Sequence, residues 1–405
     1  MNAISPVARL APGVGPDRRA VTRFAATRAW SRVSSIDILR GLIIVIMALD
    51  HVRDYFTDVR FNPLDPAHTT AMLYATRWIT NFCAPVFILL AGVSAHLVGL
   101  RCTTRQLSRF LLTRGLWLAV LELTVICVEW TFNFRWDLGL IMQVIWAIGM
   151  SMVVLSGLVY LPVRIVGAIG VAICLFHNLL DAVPMPETPV LKTLWAILHV
   201  QSPVAIGYVH YPLIPWVGVM AAGYALGNVF DMEAQRRHRM LVTLGASSIA
   251  LFLALRLINT YGDPVPWTTH SDAMGTLMSF MNVKKYPPSL DYLLATLGPA
   301  LLLLAYLENI RGWFANVLQV YGRVPLFFYV AHLALAHLAA GLVAMAVGYG
   351  NAVLNNLPRD FPSEWGVSLP LVYLAWVFVV VTLYPACRWF GQVKRRRGDW
   401  WLSYL

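Results

Sequence analysis

Arg40 and His51 stand eleven positions apart in the first strongly apolar segment of the chain, which runs from Ile36 to Phe56. On an α-helix that spacing returns to about the same face, roughly 16 Å further along the axis. If the segment crosses a bilayer, Arg40 lies about 6 Å inside one boundary and His51 about 21 Å from Ile36, in the far part of a hydrocarbon core about 30 Å thick. Ionisable groups held at such depth are costly, and they mark function. An imidazole there can act as a general base near neutral pH. Asp54 follows His51 by three residues, a spacing at which a carboxylate can orient the ring, fix its tautomer and raise the basicity of the far nitrogen. Asp50 and Arg53 complete this polar group; the competing reading is a charged helix end at the outer interface.

Other polar groups sit at comparable spacings. Arg323 and His332 are nine positions apart, about 14 Å of helix with a similar azimuth, and so form a second cation-and-histidine rail. His337 lies five residues beyond His332, a separation that turns the two rings apart and argues against a shared metal. The stretch Tyr208-Val-His-Tyr-Pro-Leu-Ile-Pro-Trp216 opens an apolar segment with its first turns interrupted by proline. Backbone groups freed in that way need protein or water partners, so the segment is expected to line a cavity, with His210 and Trp216 as candidate contacts for a sugar. Lys284 and Lys285 precede Tyr286, two prolines and Ser289 in a turn where the charge bias of the chain disfavours lysine, which suggests attraction to an anion. Glu122 and Glu129 are seven residues apart and are expected to face one way and pair with buried cations.

The elements that must carry these groups follow from composition. Of 405 residues, 59% are hydrophobic and 13% charged, and the mean hydropathy is +0.65, which excludes a soluble globule and indicates an all-α polytopic membrane protein. About ten spans are expected, near residues 36–56, 79–99, 107–130, 138–160, 163–181, 208–230, 240–258, 289–307, 322–348 and 367–390. The shorter apolar stretch 190–201 reads as a re-entrant or interfacial helix.

The net charge of +11 is spread in clusters between apolar runs, without the basic, aromatic-interleaved helix of a nucleic-acid binder. With the amino terminus inside, Arg101, Arg105, Arg109 and Arg114, then Arg164, Arg236, Arg237 and Arg239, Arg311, and Lys394 to Arg397 all fall on the cytoplasmic side. Both termini then face the cytoplasm of a bacterial inner membrane. Residues 1–33 read as a basic cytoplasmic tail, 34–392 as one helical membrane domain, and 393–405 as a basic and aromatic tail whose Trp400, Trp401 and Tyr404 rest among headgroups. The five cysteines have no metal-ligand spacing and no disulfide framework, so no metal is expected.

The pattern Arg40-x10-His51 within Ile-Asp-Ile-Leu-Arg-Gly-Leu resembles the first-helix signature of membrane acyltransferases, and most closely that of bacterial heparan-α-glucosaminide N-acetyltransferase-like proteins, a group related to acyltransferase family three. The resemblance extends through Met47-Ala-Leu-Asp-His-Val-Arg-Asp54, Arg77-Trp-Ile-Thr-Asn-Phe-Cys-Ala-Pro85, Tyr211-Pro-Leu-Ile-Pro-Trp216, Lys285-Tyr-Pro-Pro-Ser289 and Gly322-Arg-Val-Pro-Leu-Phe-Phe-Tyr329 with His332. It implies transfer of an acetyl or other small acyl group from cytoplasmic acyl-CoA to a sugar-like acceptor on the far side. Carried over to this chain, His51 takes the catalytic role, with Asp54, Asp50 and Arg53 beside it, and Arg40, Arg323 and His332 are donor contacts. A guanidinium grips phosphate through its planar fork, and the rise from Arg40 to His51 is comparable with an extended pantetheine arm. His210, Trp216, Lys285 and Tyr286 are acceptor contacts, and Arg53, Tyr286 or Lys285 is placed to stabilise the thioester oxyanion. In the lysosomal enzyme of the group the histidine lies in the loop after the first helix, so His68 is the competing candidate. The alternative from another class is a transporter of a small anion or sugar, whose sign would be matched broken helices in two repeats; here the break at 208–216 has no partner.

Overall fold

Helix α1 (Ser34–Phe56) is the axis of the molecule. It carries Asp37, Arg40, Asp50, His51, Arg53 and Asp54, too many charges for a lipid-facing helix, and most of its residues are buried. The enclosure comes from α3 (Cys83–Gly99), α11 (Leu290–Leu307), α12 (Trp313–Gly322), α13 (Pro325–Ala346) and α14 (Leu369–Arg396), all of which pack against it. The structure is a computed structural model that describes residues 34–133 and 139–397. The basic amino-terminal tail and the Trp400, Trp401 and Tyr404 segment lie outside the described residues.

Around this axis the remaining helices are α2 (Ala71–Ile79), α4 (Thr104–Leu121), α5 (Val144–Leu158), α6 (Val163–Phe176), α7 (Pro189–Leu198), α8 (Leu213–Leu226), α9 (Ala234–Ile258) and α10 (Ala273–Met281). Four helices begin at a side-chain cap. Thr103 and Gln106 form a reciprocal capping box at α4, and Thr70, Asp272 and Ser289 cap α2, α10 and α11 through their side chains. Among the described residues eight helical segments are long and apolar enough to cross a membrane, and the chain is an all-α polytopic membrane protein.

Two of the ten expected spans depart from that criterion for physical reasons. Segment 36–56 forms a helix of 23 residues but is too charged to count as apolar. In segment 138–160 the helix is only the 15 residues of α5, because Leu140–Met142 is drawn into a small sheet. That sheet has the order β1–β3–β2, with β1 (Leu140–Met142) parallel to β3 (Gly207–Val209) and β2 (Ser202–Val204) antiparallel to it. The expected span 208–230 therefore starts as strand and becomes helical only at Leu213, after Pro212.

Among the described residues Glu122 and Glu129 form no ion pair with a cation, contrary to expectation. The first accepts from the backbone amides of Ile145 (2.8 Å) and Trp146 (3.2 Å), where a carboxylate suits the positive end of α5, whose own N-cap, Gln143, makes no side-chain cap. A π-helical turn over Glu122–Ile126 interrupts the regular repeat between the two acids. The Glu129 Oε2 atom is buried without a hydrogen-bond partner among the described residues.

The crossing of α1 and α12 is the closest approach around the axis. A Cβ added at Gly41 would stand 1.9 Å from the Leu318 carbonyl oxygen, and one at Gly322 would stand 1.9 Å from the Asp37 carbonyl oxygen. Both neighbours are backbone, so neither can yield as a side-chain tip would. Replacing Gly41 or Gly322 by valine is expected to force the helices apart and to cost ~1–3 kcal/mol or more. Thermal unfolding of the detergent-solubilised variants should show a midpoint several degrees below wild type; an unchanged midpoint would mean the contact is not tight.

Candidate active site

A stripe on α1 faces inward. Arg40, Ile44, Met47, Asp50 and His51 all line a single cavity of about 320 Å³, at the 3–4 residue intervals that a helix face dictates. Arg114, Arg323 and Lys394, from α4, the α12–α13 junction and α14, line the same cavity. Cys83, Tyr211, Lys285 and Tyr329 also line this cavity with Asp50 and His51. Its apolar walls come from α3, α4, α5 and α13, among them Phe87, Leu118, Ile148 and Leu326.

The Arg40 guanidinium is held by neighbours on three elements. It donates to Ser94 Oγ on α3 (2.9 Å), to the Gly322 carbonyl (3.3 Å) and to Asp37 Oδ1 (3.3 Å). The other oxygen of Asp37 faces Arg323 Nε at 3.7 Å, so one carboxylate stands between two guanidiniums. Arg323 also donates to Gln319 Oε1 (2.7 Å). A second, larger hollow of about 730 Å³ shares Arg40, Ser94 and Val98 with the first and is further lined by Arg101, Arg237 and Arg311. Arg237 is clamped to Glu308 at 2.5 and 3.1 Å, which ties α9 to the end of α11. The Arg40 end of the cavity thus adjoins a roomy vestibule whose four arginines are partly matched by Asp37, Asp231 and Glu308.

At the other end two histidines meet. His51 Nδ1 lies 2.7 Å from His332 Nε2, and His332 Nδ1 lies 2.8 Å from the Phe328 carbonyl oxygen. A carbonyl only accepts, so His332 carries its proton on Nδ1 and, when neutral, accepts at Nε2. The donor across the pair is then the N–H at His51 Nδ1, which leaves the basic lone pair of His51 on Nε2. The ring is further fixed by edge contacts to Trp130 and Tyr329, with centroids at 5.5 and 5.9 Å.

Several expected positions are redistributed by this geometry. Asp54 does not orient His51; it accepts from Arg53 (2.7 Å), which also donates to Asp50 (2.9 Å), because a short guanidinium bridge satisfies both acids at once. Arg77 stands 3.8 Å from Asp50, an element of the site that spacing alone did not single out, although it opens one of the quoted blocks. His332 is fully buried, sits behind His51 and does not line the cavity, so it is no contact for donor phosphates.

The acceptor candidates divide. Lys285 lines the cavity, whereas Tyr286 and His210 do not and meet in a tilted ring contact with centroids 4.4 Å apart, and Trp216 is fully buried in the core. His210, in the loop before α8, is pushed down to about 4 by burial and then by the positive fields of Lys285 and Arg77. His68 is on the surface with its Nδ1 2.8 Å from Asp65, a hydrogen bond that holds the Asp65 carboxyl below its ordinary range, and it does not reach the cavity.

The fold is that of a helical membrane protein with a half-buried imidazole and a guanidinium clamp lining one internal cavity. Comparison with known families agrees: the profile described as heparan-alpha-glucosaminide N-acetyltransferase, catalytic, matches residues 32–256, more than half of the chain. The chain belongs to that family. No curated protein matches the chain. The matched stretch holds Arg40, Asp50, His51 and Arg77, while Lys285, Arg323 and His332 come from beyond it.

The clamp allows a direct test of Asp37. Asp37→Asn keeps the shape and removes the negative charge between Arg40 and Arg323, which Ser94 and Gln319 still orient. Affinity for a phosphorylated ligand such as free CoA is expected to rise, about threefold to tenfold, and to become more salt-sensitive. Calorimetric titration of the purified variant checks it; weaker binding would show that Asp37 organises the clamp instead of opposing the ligand.

Proposed function

We propose that the chain transfers an acetyl or other small acyl group from acyl-CoA, taken up on the cytoplasmic side of a bacterial inner membrane, to a sugar-like acceptor on the opposite side. The observation that carries this reading is that Arg40 and His51 line one cavity, about 16 Å apart along α1. A phosphate-bearing donor with a long thiol arm fits a clamp and a base separated in that way. Phosphates are taken by Arg40 and Arg323, with Arg114 and Lys394 beside them. The larger basic hollow accommodates the nucleotide, and the apolar walls receive the pantetheine arm, so that the thioester arrives at His51.

His51 Nε2 then removes the proton from the acceptor amine or hydroxyl as its nitrogen or oxygen attacks the thioester carbon. The C–S bond breaks, and the departing thiolate takes the same proton back from His51. His332 serves as the positioning residue in place of Asp54, since it fixes the tautomer that leaves Nε2 basic. The sidedness rests on the alternation of basic loops along the sequence.

Purified protein in lipid nanodiscs should release thiol from acetyl-CoA in the presence of an amino-sugar acceptor. His51→Ala is expected to lower that rate by about 10²–10⁴-fold while the protein still inserts and elutes as wild type. His332→Phe should lower kcat by a smaller factor with little change in KM for acetyl-CoA, as expected when the base is misoriented but present. Retained transfer in His51→Ala would overturn the assignment. Counterflow of a labelled solute without thiol release would indicate transport.

A further inference from the structure

Resting on the acyl-transfer reading, we propose that Lys285 is the oxyanion-stabilising residue of the reaction. Three groups were placed for that task by sequence, and the fold separates them. Arg53 is occupied by Asp50 and Asp54 and does not line the cavity. Tyr286 also stands outside the lining, with its hydroxyl 3.5 Å from that of Tyr211. Lys285 lines the cavity together with Asp50 and His51.

At this end two acids, Asp50 and Asp54, face three cations, Arg53, Arg77 and Lys285, and among the described residues neither acid forms an ion pair with Lys285. Asp50 and Asp54 are matched by Arg53 and Arg77, at 2.9, 2.7 and 3.8 Å. Among the described residues no hydrogen bond or ion pair engages the Lys285 ammonium, which lies over the Tyr286 ring at 5.2 Å from its centroid. A half-buried cation that faces an apolar-walled cavity, with every neighbouring acid already neutralised, favours negative charge that develops there.

The turn that carries Lys285 is fastened at almost every residue. Asp263 Oδ2 accepts from the Lys284 amide (2.7 Å) and the Ser289 hydroxyl (2.6 Å). The Ser289 amide donates to the Lys284 carbonyl (2.9 Å), His177 Nε2 donates to the Pro288 carbonyl (2.7 Å), and Asn178 accepts from the Leu290 amide (2.9 Å). These bonds fix the backbone from which the Lys285 stem rises, and the Tyr286 ring lies under the ammonium, which limits the reorganisation needed when charge appears.

In the step itself the acceptor heteroatom forms its bond to the thioester carbon and its proton passes to His51 Nε2. The carbonyl π pair moves onto oxygen, where the Lys285 ammonium meets it. When that pair returns, the C–S bond breaks and the thiolate leaves with the proton from His51. Every atom and charge is accounted for by donor, acceptor and these two side chains.

The test measures kcat and KM for thiol release from acetyl-CoA by full-length protein in nanodiscs, with saturating glucosamine and with water as the only nucleophile. Lys285→Met is expected to lower kcat about 10²–10³-fold under both conditions, with KM for acetyl-CoA within about twofold of wild type, and Lys285→Arg to recover part of the loss. Among the described residues the ammonium makes no hydrogen bond or ion pair that the substitution would break, so the variants should fold, which thermal unfolding checks; Lys285→Gln serves if the methionine variant does not. A kcat kept within about threefold of wild type would overturn the proposal, including the case where only the KM for glucosamine rises. Wild-type protein that releases no thiol under either condition would bring down the acyl-transfer reading and this inference with it, and so the two failures are told apart.

Discussion

The structure depends on the burial of one charged helix. Asp37, Arg40, Asp50, His51, Arg53 and Asp54 all belong to α1, and none of them can be left against hydrocarbon. The solution is a helix surrounded by five others, with its ionisable groups turned toward protein partners or toward an internal cavity. Close backbone contact at Gly41 and Gly322 brings α12 near enough for the Gly322 carbonyl and Arg323 to engage Arg40 and Asp37. The packing that hides the charge is the same packing that builds the site.

The two ends of the cavity solve different electrostatic problems. At the Arg40 end two guanidiniums from separate elements, Arg40 and Arg323, flank the Asp37 carboxylate. Such an arrangement favours a multiply charged ligand and tolerates its departure, because Asp37 remains to neutralise part of the clamp. At the His51 end the acids are matched by arginines, and the remaining cation is Lys285. The polarity of the imidazole pair is set by one backbone carbonyl, that of Phe328, which determines the proton position on His332 and thereby on His51.

Outer segments contribute by holding shape. The small sheet gives Tyr211 its place: the His210 and Tyr211 amides both donate to the Met142 carbonyl, at 3.0 and 3.1 Å. Trp365 donates to the Tyr55 carbonyl (3.0 Å) and Arg60 to the Trp365 carbonyl, which anchors the loop before α14 to the end of α1. Family membership places the chain among transmembrane acetyltransferases.

The sequence by itself determined the all-α membrane class, through apolar runs of spanning length, and the shared face of Arg40 and His51, through helical periodicity. Both are local properties that a single helix expresses without its neighbours. Only the tertiary structure decided what stands beside each group. Asp54 has the right spacing to orient His51, yet Arg53 is closer and charged, and the orienting role falls to His332, far away in the chain. Leu140–Met142 reads as the start of a span and becomes a strand because Gly207–Val209 lies alongside to pair with it. His68 and Lys285 look equally plausible as isolated loop residues, but one is exposed and the other lines the cavity. Spacing within a helix is written in the chain; proximity between residues hundreds of positions apart arises only when burial of the charged axis brings their helices together.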